Sequence, residues 1–366
     1  MRFMRKESSK GVLSWLRVRT SSRYCGAVMK GSDHFSGINY MKNIILIGMP
    51  ASGKNTVGVI LEKVLGKGFI DTLNGSKIKK EGLKMEYIYE MPKEFLQDCA
   101  EKGKVERFEY VTNTYDSENK TLNKGAWVYL PYGYNASKKY NILYLMHGGG
   151  VTEDWWFKMF PETVTILDNM IAKKVCDPCI IVTPCLYHSC DDIHTRDESR
   201  TENFKNELRR DLIPGIESKY STYAEGNVSD ENLVKTRDHR AFAGLSLGSM
   251  TTYRAAFYNN FDLFAWYGPF SGCCGPFGNH DQEVERIINT LTDWHKKGIE
   301  LSYMFCCNGD ADIAYAEHKD IMEKVLAKSD VLVPEKNYDF YLIPGGVHDM
   351  KAWQLDLYHA LQIFFK

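Results

Sequence analysis

The sequence predicts an α/β protein over residues 105–366, with a mostly parallel central sheet flanked by helices. Three observations carry that prediction. Runs such as Asn141–Met146 and Ile180–Thr183 are continuously apolar, as strands buried on both faces are, instead of alternating. Such runs alternate along the chain with stretches of helical period. Glycine-rich turns follow the apolar runs, at His147-Gly148-Gly149-Gly150 and Gly345-Gly346, and frame Ser246 in Gly244-Leu245-Ser246-Leu247-Gly248.

The elements follow in order. Residues 1–40 are basic, rich in Ser and Arg and without a periodic apolar face, so they are expected to form a disordered extension. Residues 41–73 change character: a strand-like run Asn43–Gly48 leads into Gly48-x-x-x-x-Gly53-Lys54, a P-loop spacing in strand-to-helix context. With Phe69-Ile70-Asp71-Thr72, this fragment resembles the amino end of shikimate kinase. It departs at Asn55, where Ser or Thr would hold magnesium, and at Leu73, where a second acid is expected. Residues 74–104 read as a charged linker with Pro92 as a helix start. From there the expected strands are Val105–Thr112, Ala126–Leu130, Asn141–Met146, Ile180–Thr183, His239–Leu245, Phe264–Gly268, Leu301–Cys307 and Tyr338–Ile343. The expected helices are Glu162–Lys174, Asn203–Tyr220, Gly248–Asn259, Glu283–Lys297, Ala314–Lys328 and Ala352–Phe365.

Composition narrows the function. Among 366 residues the net charge is −1, which supplies no field for nucleic acid or an anionic membrane, and no apolar run is long enough to span a bilayer. Ten cysteines in a chain of this length are not a disulfide framework. The single C-x-x-C, Cys176 to Cys179, has no second pair at zinc spacing, so no metal and no cofactor is expected. No secretory segment is readable, which makes a cytoplasmic location the expectation.

The chemistry is read from the turns. In G-x-S-x-G between a strand and a helix, the glycines permit a strained turn that exposes the Ser246 hydroxyl and turns the Leu247 N–H toward the same point. The loop at His147–Gly150 would add a second backbone donor, from Gly149, to hold an oxyanion. His348 lies past the final strand, where the base of such a constellation belongs, and the acid should stand at the end of the strand before it. Two aspartates compete there, Asp310 and Asp312, and either could instead cap a turn. Trp155 and Trp156, just after the glycine loop, could offer an aromatic wall to a substrate or form core beneath the loop.

These segments together carry a resemblance. Tyr129-Leu130-Pro131, Leu145-Met146-His147-Gly148-Gly149-Gly150, Asp211-Leu212-Ile213-Pro214, the Ser246 turn, Tyr267-Gly268-Pro269-Phe270-Ser271 and Gly346-Val347-His348-Asp349-Met350-Lys351-Ala352-Trp353 look like the putative-esterase family, in the family's order. The resemblance implies an α/β-hydrolase fold and a triad of Ser246, an aspartate and His348. The family's Gly-x-x-Asp pattern points to Asp312 through Gly309. It implies a serine ester hydrolase acting through an acyl-enzyme on feruloyl or acetyl esters of plant polysaccharide or similar small esters, so the partner is a small-molecule or oligosaccharide ester. The alternatives are an ATP-binding, kinase-like module at residues 48–55 and a non-catalytic binding protein of the same fold.

Overall fold

The computed structural model describes residues 14–19, 24–29, 44–47, 86–194, 198–273 and 279–366. The chain divides into two units, Met1–Glu81 and Gly82–Lys366. The first contains a three-stranded antiparallel sheet of β1 (Ser14–Arg19), β2 (Tyr24–Met29) and β3 (Ile44–Ile47). β3 falls in the apolar run expected as a strand. β1 and β2 fall where the sequence predicts no regular structure, although Leu16 and Val18 alternating with Arg17 and Arg19 is a period a strand can use. The P-loop spacing at 48–55 and the 69–73 stretch lie outside the described residues.

The second unit is built on eight strands. These are β4 (Lys104–Asn113), β5 (Thr121–Leu130), β6 (Asn141–Met146), β7 (Cys179–Pro184), β8 (Arg240–Leu245), β9 (Trp266–Phe270), β10 (Tyr303–Gly309) and β11 (Tyr338–Ile343). Their order across the sheet is β11-β10-β9-β8-β6-β7-β5-β4. The six from β11 to β7 are parallel, and β5 and β4 complete the sheet as an antiparallel hairpin. The helices are α1 (Glu162–Ala172), α2 (Arg200–Glu207), α3 (Ile213–Lys219), α4 (Asp230–Lys235), α5 (Leu247–Thr251), α6 (His280–Lys296), α7 (Tyr315–Lys328) and α8 (Met350–Ile363). The expected helix Asn203–Tyr220 is α2 and α3 joined through a wider π-type turn, Leu208–Leu212.

Burial explains why the strands read as unbroken apolar runs. Tyr144 and Met146 of β6 face one core, with Phe242, Phe257 and Val325. Leu143 and Leu145 face a second core on the other side, with Ala243, Phe305 and residues of α1 and α8. Every side chain from Ile142 to Met146 is therefore removed from water. The described part of the stretch read as a linker is docked on the second core: Phe95 is buried there and His359 Nε2 meets the Ile88 carbonyl at 3.0 Å. At the amino end of β8, Arg240 forms a buried two-bond pair with Glu217, at 2.6 and 3.0 Å, anchoring the strand that ends at Ser246.

Parallel strands all point their carboxyl ends the same way, and ligands of open α/β sheets bind there, at the loops. The turns after β6, β8, β10 and β11 converge at that edge.

Candidate active site

Ser246 joins β8 to α5 with φ 54° and ψ −115°, a backbone conformation that L-residues other than glycine rarely adopt. Its neighbours make the turn sterically feasible. A Cβ on Gly244 would lie 2.6 Å from the Gly248 carbonyl oxygen, and one on Gly248 would lie 2.5 Å from that of His147. The strand and helix therefore approach through bare backbone, as the G-x-S-x-G pattern predicts. The Ser246 N–H donates to the Phe270 carbonyl at 2.9 Å, which ties the turn to the end of β9.

A continuous hydrogen-bonded chain runs from this serine. Ser246 Oγ lies 3.0 Å from His348 Nε2, and His348 Nδ1 lies 3.0 Å from both carboxylate oxygens of Asp312. Because Asp312 can only accept when ionised, the imidazole proton sits on Nδ1, and Nε2 is left to accept from the serine hydroxyl. Burial alone would raise the Asp312 carboxyl. The hydrogen bonds from His348 and from the Ala314 N–H at 2.8 Å outweigh it and hold the acid below the usual carboxylate range. The Asp312 side chain is fully buried, whereas His348 is 22% exposed and so reachable from solvent.

The two loops that carry acid and base are bonded to each other. Ala311 N–H donates to the Gly346 carbonyl at 3.0 Å and Asp310 N–H to that of Ile343 at 3.1 Å. A Cβ on Gly309 would fall on the Gly346 carbonyl group, so these loops also touch backbone to backbone. Asp310 faces outward, and its Oδ1 accepts from the Gly345 N–H at 2.7 Å. It splints the base loop, while Asp312 is the aspartate that meets the imidazole.

The glycine loop after β6 is positioned by His147. Its Nδ1 donates to the Gly148 carbonyl at 2.7 Å and its Nε2 accepts from the Leu186 N–H at 3.0 Å, while burial lowers its pKa to about 4 and keeps it neutral. The loop passes over the elbow: the Cβ position of Gly148 is 3.5 Å from Ser246 Cβ, and that of Gly149 is 3.8 Å from Leu247 Cδ2. The two residues expected to supply backbone donors, Gly149 and Leu247, thus lie side by side at the serine.

The tryptophans separate. Trp156 is fully buried, with its indole N–H on the Met146 carbonyl at 3.1 Å, so it is core beneath the loop and not a substrate wall. Adjacent residues in this turn point in different directions, and a doublet cannot present both rings to a ligand. Trp155 lies against Trp353, with ring centroids 6.4 Å apart. Trp353 closes the family-like segment that begins at Gly346 without a role assigned to it from the sequence, and its ring meets the His348 imidazole edge to face at 5.1 Å. The signal for it was its place in the first turn of α8, directly after the base loop. Behind the acid loop, His318 is buried between Asn308 Oδ1 at 2.7 Å and the Tyr253 hydroxyl at 3.0 Å, and burial lowers its pKa to about 3.

Cys176 and Cys179 are free and buried, and burial raises both thiols, Cys176 to about 12. Among the described residues no cluster of three or more His, Cys, Asp or Glu is arranged to hold a metal ion, and no helix is long and apolar enough to cross a membrane.

A model of the family described as putative esterase matches residues 121–364. Over 278 residues the chain is 34% identical to endo-1,4-beta-xylanase Y of Acetivibrio thermocellus, covering 75% of this chain and 24% of that protein. It is 30% identical over 260 residues to an endo-1,4-beta-xylanase/feruloyl esterase of Xylanibacter ruminicola, covering 69% of this chain and 31% of the relative. The chain thus spans a third or less of the length of these relatives. Among solved structures, a serine-to-alanine mutant of the feruloyl esterase module from Clostridium thermocellum, complexed with sinapinate, superposes with a TM-score of 0.66 at 30% identity. The match covers 78% of this chain and 96% of the module.

Proposed function

The chain belongs to the putative-esterase family, and from that premise we propose that it is a serine carboxylic-ester hydrolase acting on feruloyl esters of plant polysaccharide. The observation that carries the reading is the unbroken Ser246–His348–Asp312 hydrogen-bonded chain at the mouth of a strained elbow.

In the proposed reaction, Ser246 Oγ attacks the ester carbonyl carbon as His348 Nε2 takes the hydroxyl proton. Asp312 holds the imidazole in the required tautomer and stabilises the imidazolium that forms. The N–H groups of Leu247 and Gly149 receive the oxyanion, where each such donor contributes about 3 kcal/mol to the transition state. Collapse breaks the bond to the alcohol, which leaves with the proton returned by His348 and leaves an acyl group on Ser246. Water, deprotonated by His348, then attacks the acyl carbon, and the free acid departs as the serine recovers its proton.

An aromatic acyl group is favoured over acetyl because Ile313 and Val347, which directly adjoin the acid and the base, are 83% and 46% exposed. Those side chains supply an apolar rim at the site, and Trp155 and Trp353 stand behind the imidazole.

The test is hydrolysis of methyl ferulate, p-nitrophenyl acetate and a thioester by the wild type and by Ser246→Ala. Wild-type turnover should be fastest on the ferulate and absent in the variant, with circular dichroism unchanged. A fluorophosphonate probe should label only the wild type. Turnover retained by folded Ser246→Ala would remove the proposal.

A further inference from the structure

A cavity of about 460 Å³ opens beside the β4–β5 hairpin, between Arg107, Lys124 and Gly125 on one side and Thr152, Glu153 and Tyr187 on the other. Its size falls within the range of small-molecule sites, about 300–1,000 Å³. It belongs to the carboxyl edge of the sheet: the register pairs Ala126 with Pro184 at the end of β7, so residues 121–125 extend beyond that end.

The cavity is physically continuous with the glycine loop. Thr152 and Glu153 follow that loop by two and three residues, and the Tyr187 hydroxyl accepts from the Gly150 N–H at 3.0 Å. Yet it does not coincide with the site of acyl transfer. Three strand intervals separate β8 from β5, about 14 Å at ~4.8 Å each. A group bound there belongs to a part of the substrate remote from the scissile bond.

The lining describes that group. Lys124 is buried, with Nζ 2.7 Å from Glu207 Oε1 and 2.8 Å from the Cys185 carbonyl. The Arg107 guanidinium lies across Gly125, in the space a side chain would otherwise fill, and pairs with Glu153 Oε1 at 2.8 Å. Each cation is matched by a carboxylate and Glu109 adds a further acid to the lining, so the cavity offers no attractive field for a phosphate or a carboxylate ligand. An apolar aromatic ring placed there would leave the charged and amide groups of Arg107, Glu109, Asn123 and Glu153 unanswered, whereas Tyr110 and Tyr187 can lie against the apolar face of a sugar ring. What remains is a neutral ligand dense in hydroxyls. Hydroxyls can both donate to Glu153 and accept from Arg107 or from the exposed Asn123 amide.

We propose that this cavity binds a neutral sugar residue of the polysaccharide, several units along the chain from the esterified one. The inference rests on the esterase reading for its choice of substrate half and extends it to a second contact with the alcohol side.

Two measurements test it. The first compares kcat/KM on methyl ferulate, a feruloylated monosaccharide and a feruloylated xylo-oligosaccharide. The wild type should gain roughly tenfold from the oligosaccharide over the monosaccharide, chiefly through KM, as expected for ~1.4 kcal/mol of added binding. Asn123→Trp, which fills the cavity from an exposed position, and Arg107→Ala should each reduce that gain to within about twofold of unity. No gain with length in the wild type, or a gain unchanged in both variants, overturns the proposal. The second measurement is calorimetric titration of Ser246→Ala with unesterified xylo-oligosaccharide, which needs no hydrolysis. Saturable heat that Asn123→Trp removes supports the cavity even if no ester is turned over, an outcome that would sink only the esterase reading. Absence of heat in Ser246→Ala, or heat unaffected by Asn123→Trp, counts against the cavity.

Discussion

Replacing Asp312 with Asn should cost about four orders of magnitude in kcat, the size seen when a triad acid loses its charge at constant shape. That corresponds to about 5.4 kcal/mol of transition-state stabilisation at 1.36 kcal/mol per tenfold. The structure explains why an isosteric change would be so severe. Asp312 Oδ1 accepts from the Ala314 N–H at 2.8 Å as well as from His348 Nδ1. An amide that keeps its oxygen at the Oδ1 position for Ala314 places its NH2 at the Oδ2 position, which is also 3.0 Å from Nδ1, so the group competes as a donor to the ring nitrogen. In the tautomer this favours, the imidazole carries its proton on Nε2 and cannot accept from Ser246. Asp310→Asn keeps an oxygen for the Gly345 N–H and sits at the surface, so its effect should stay within about 0.5 kcal/mol, roughly twofold. Steady-state kinetics on methyl ferulate, with thermal unfolding to show that both variants are folded, measures the difference. A folded Asp312→Asn enzyme retaining a tenth of wild-type activity, or an Asp310→Asn loss of comparable size, would refute the assignment.

Three further outcomes follow from the structure. Ser246→Gly should be as inactive as Ser246→Ala but should unfold at a higher temperature, because glycine relieves a strained φ costing about 1–3 kcal/mol; equal midpoints would show that the elbow stores no strain. His147 and His359, lowered to about 4 by burial, and His318, lowered to about 3, stay neutral in the fold, while the unfolded chain takes up protons below about 6.5. Stability should therefore be full above that pH and fall toward pH 4, by up to about 1.4 kcal/mol per unit for each histidine, and coincident urea midpoints at pH 7.5 and 5 would contradict this. Asp356 has the opposite sign: burial, reinforced by the Asp312 charge, pushes its carboxyl well up, so the unfolded chain gives up this proton above about 3.9 while the fold retains it. Asp356→Asn should thus gain stability relative to wild type as pH rises from 4.5 to 7.5, and a difference independent of pH would refute the neutral buried acid.

The parts of the fold that the sequence shows plainly are those where burial is two-sided. Asn141–Met146 is such a strand, with the expected bounds, and Tyr338–Ile343 keeps its expected bounds at the sheet edge although Asp339, Phe340 and Leu342 are only partly buried. β5 begins at Thr121, ahead of the expected start at Ala126, because its first three residues are at least partly exposed and lack the apolar run of the centre. α4 is six residues long and too short to show a period. In the site, Ser246 and His348 were legible from glycine-framed positions at strand ends. Asp310 and Asp312 share one loop two residues apart, and only the fold shows which carboxylate turns inward. Whether Trp156 is wall or core, and what Trp353 touches, could not be read along the chain for one reason: ring direction in a turn or first helical turn is set by packing, which leaves no sequence pattern.

The backbone contact between Gly309 and Gly346 bears on how such an enzyme can change over time. Acid and base loops meet there through bare backbone, with the Asp310 carboxylate as a side-chain splint, so any side chain added at Gly309 or Gly346 would push the loops apart. One residue after the acid and one before the base, Ile313 and Val347 are exposed and have few packing obligations. Selection can therefore explore new acyl preferences through these two positions while the proton path stays fixed, and a library confined to them would sample specificity at little risk to folding.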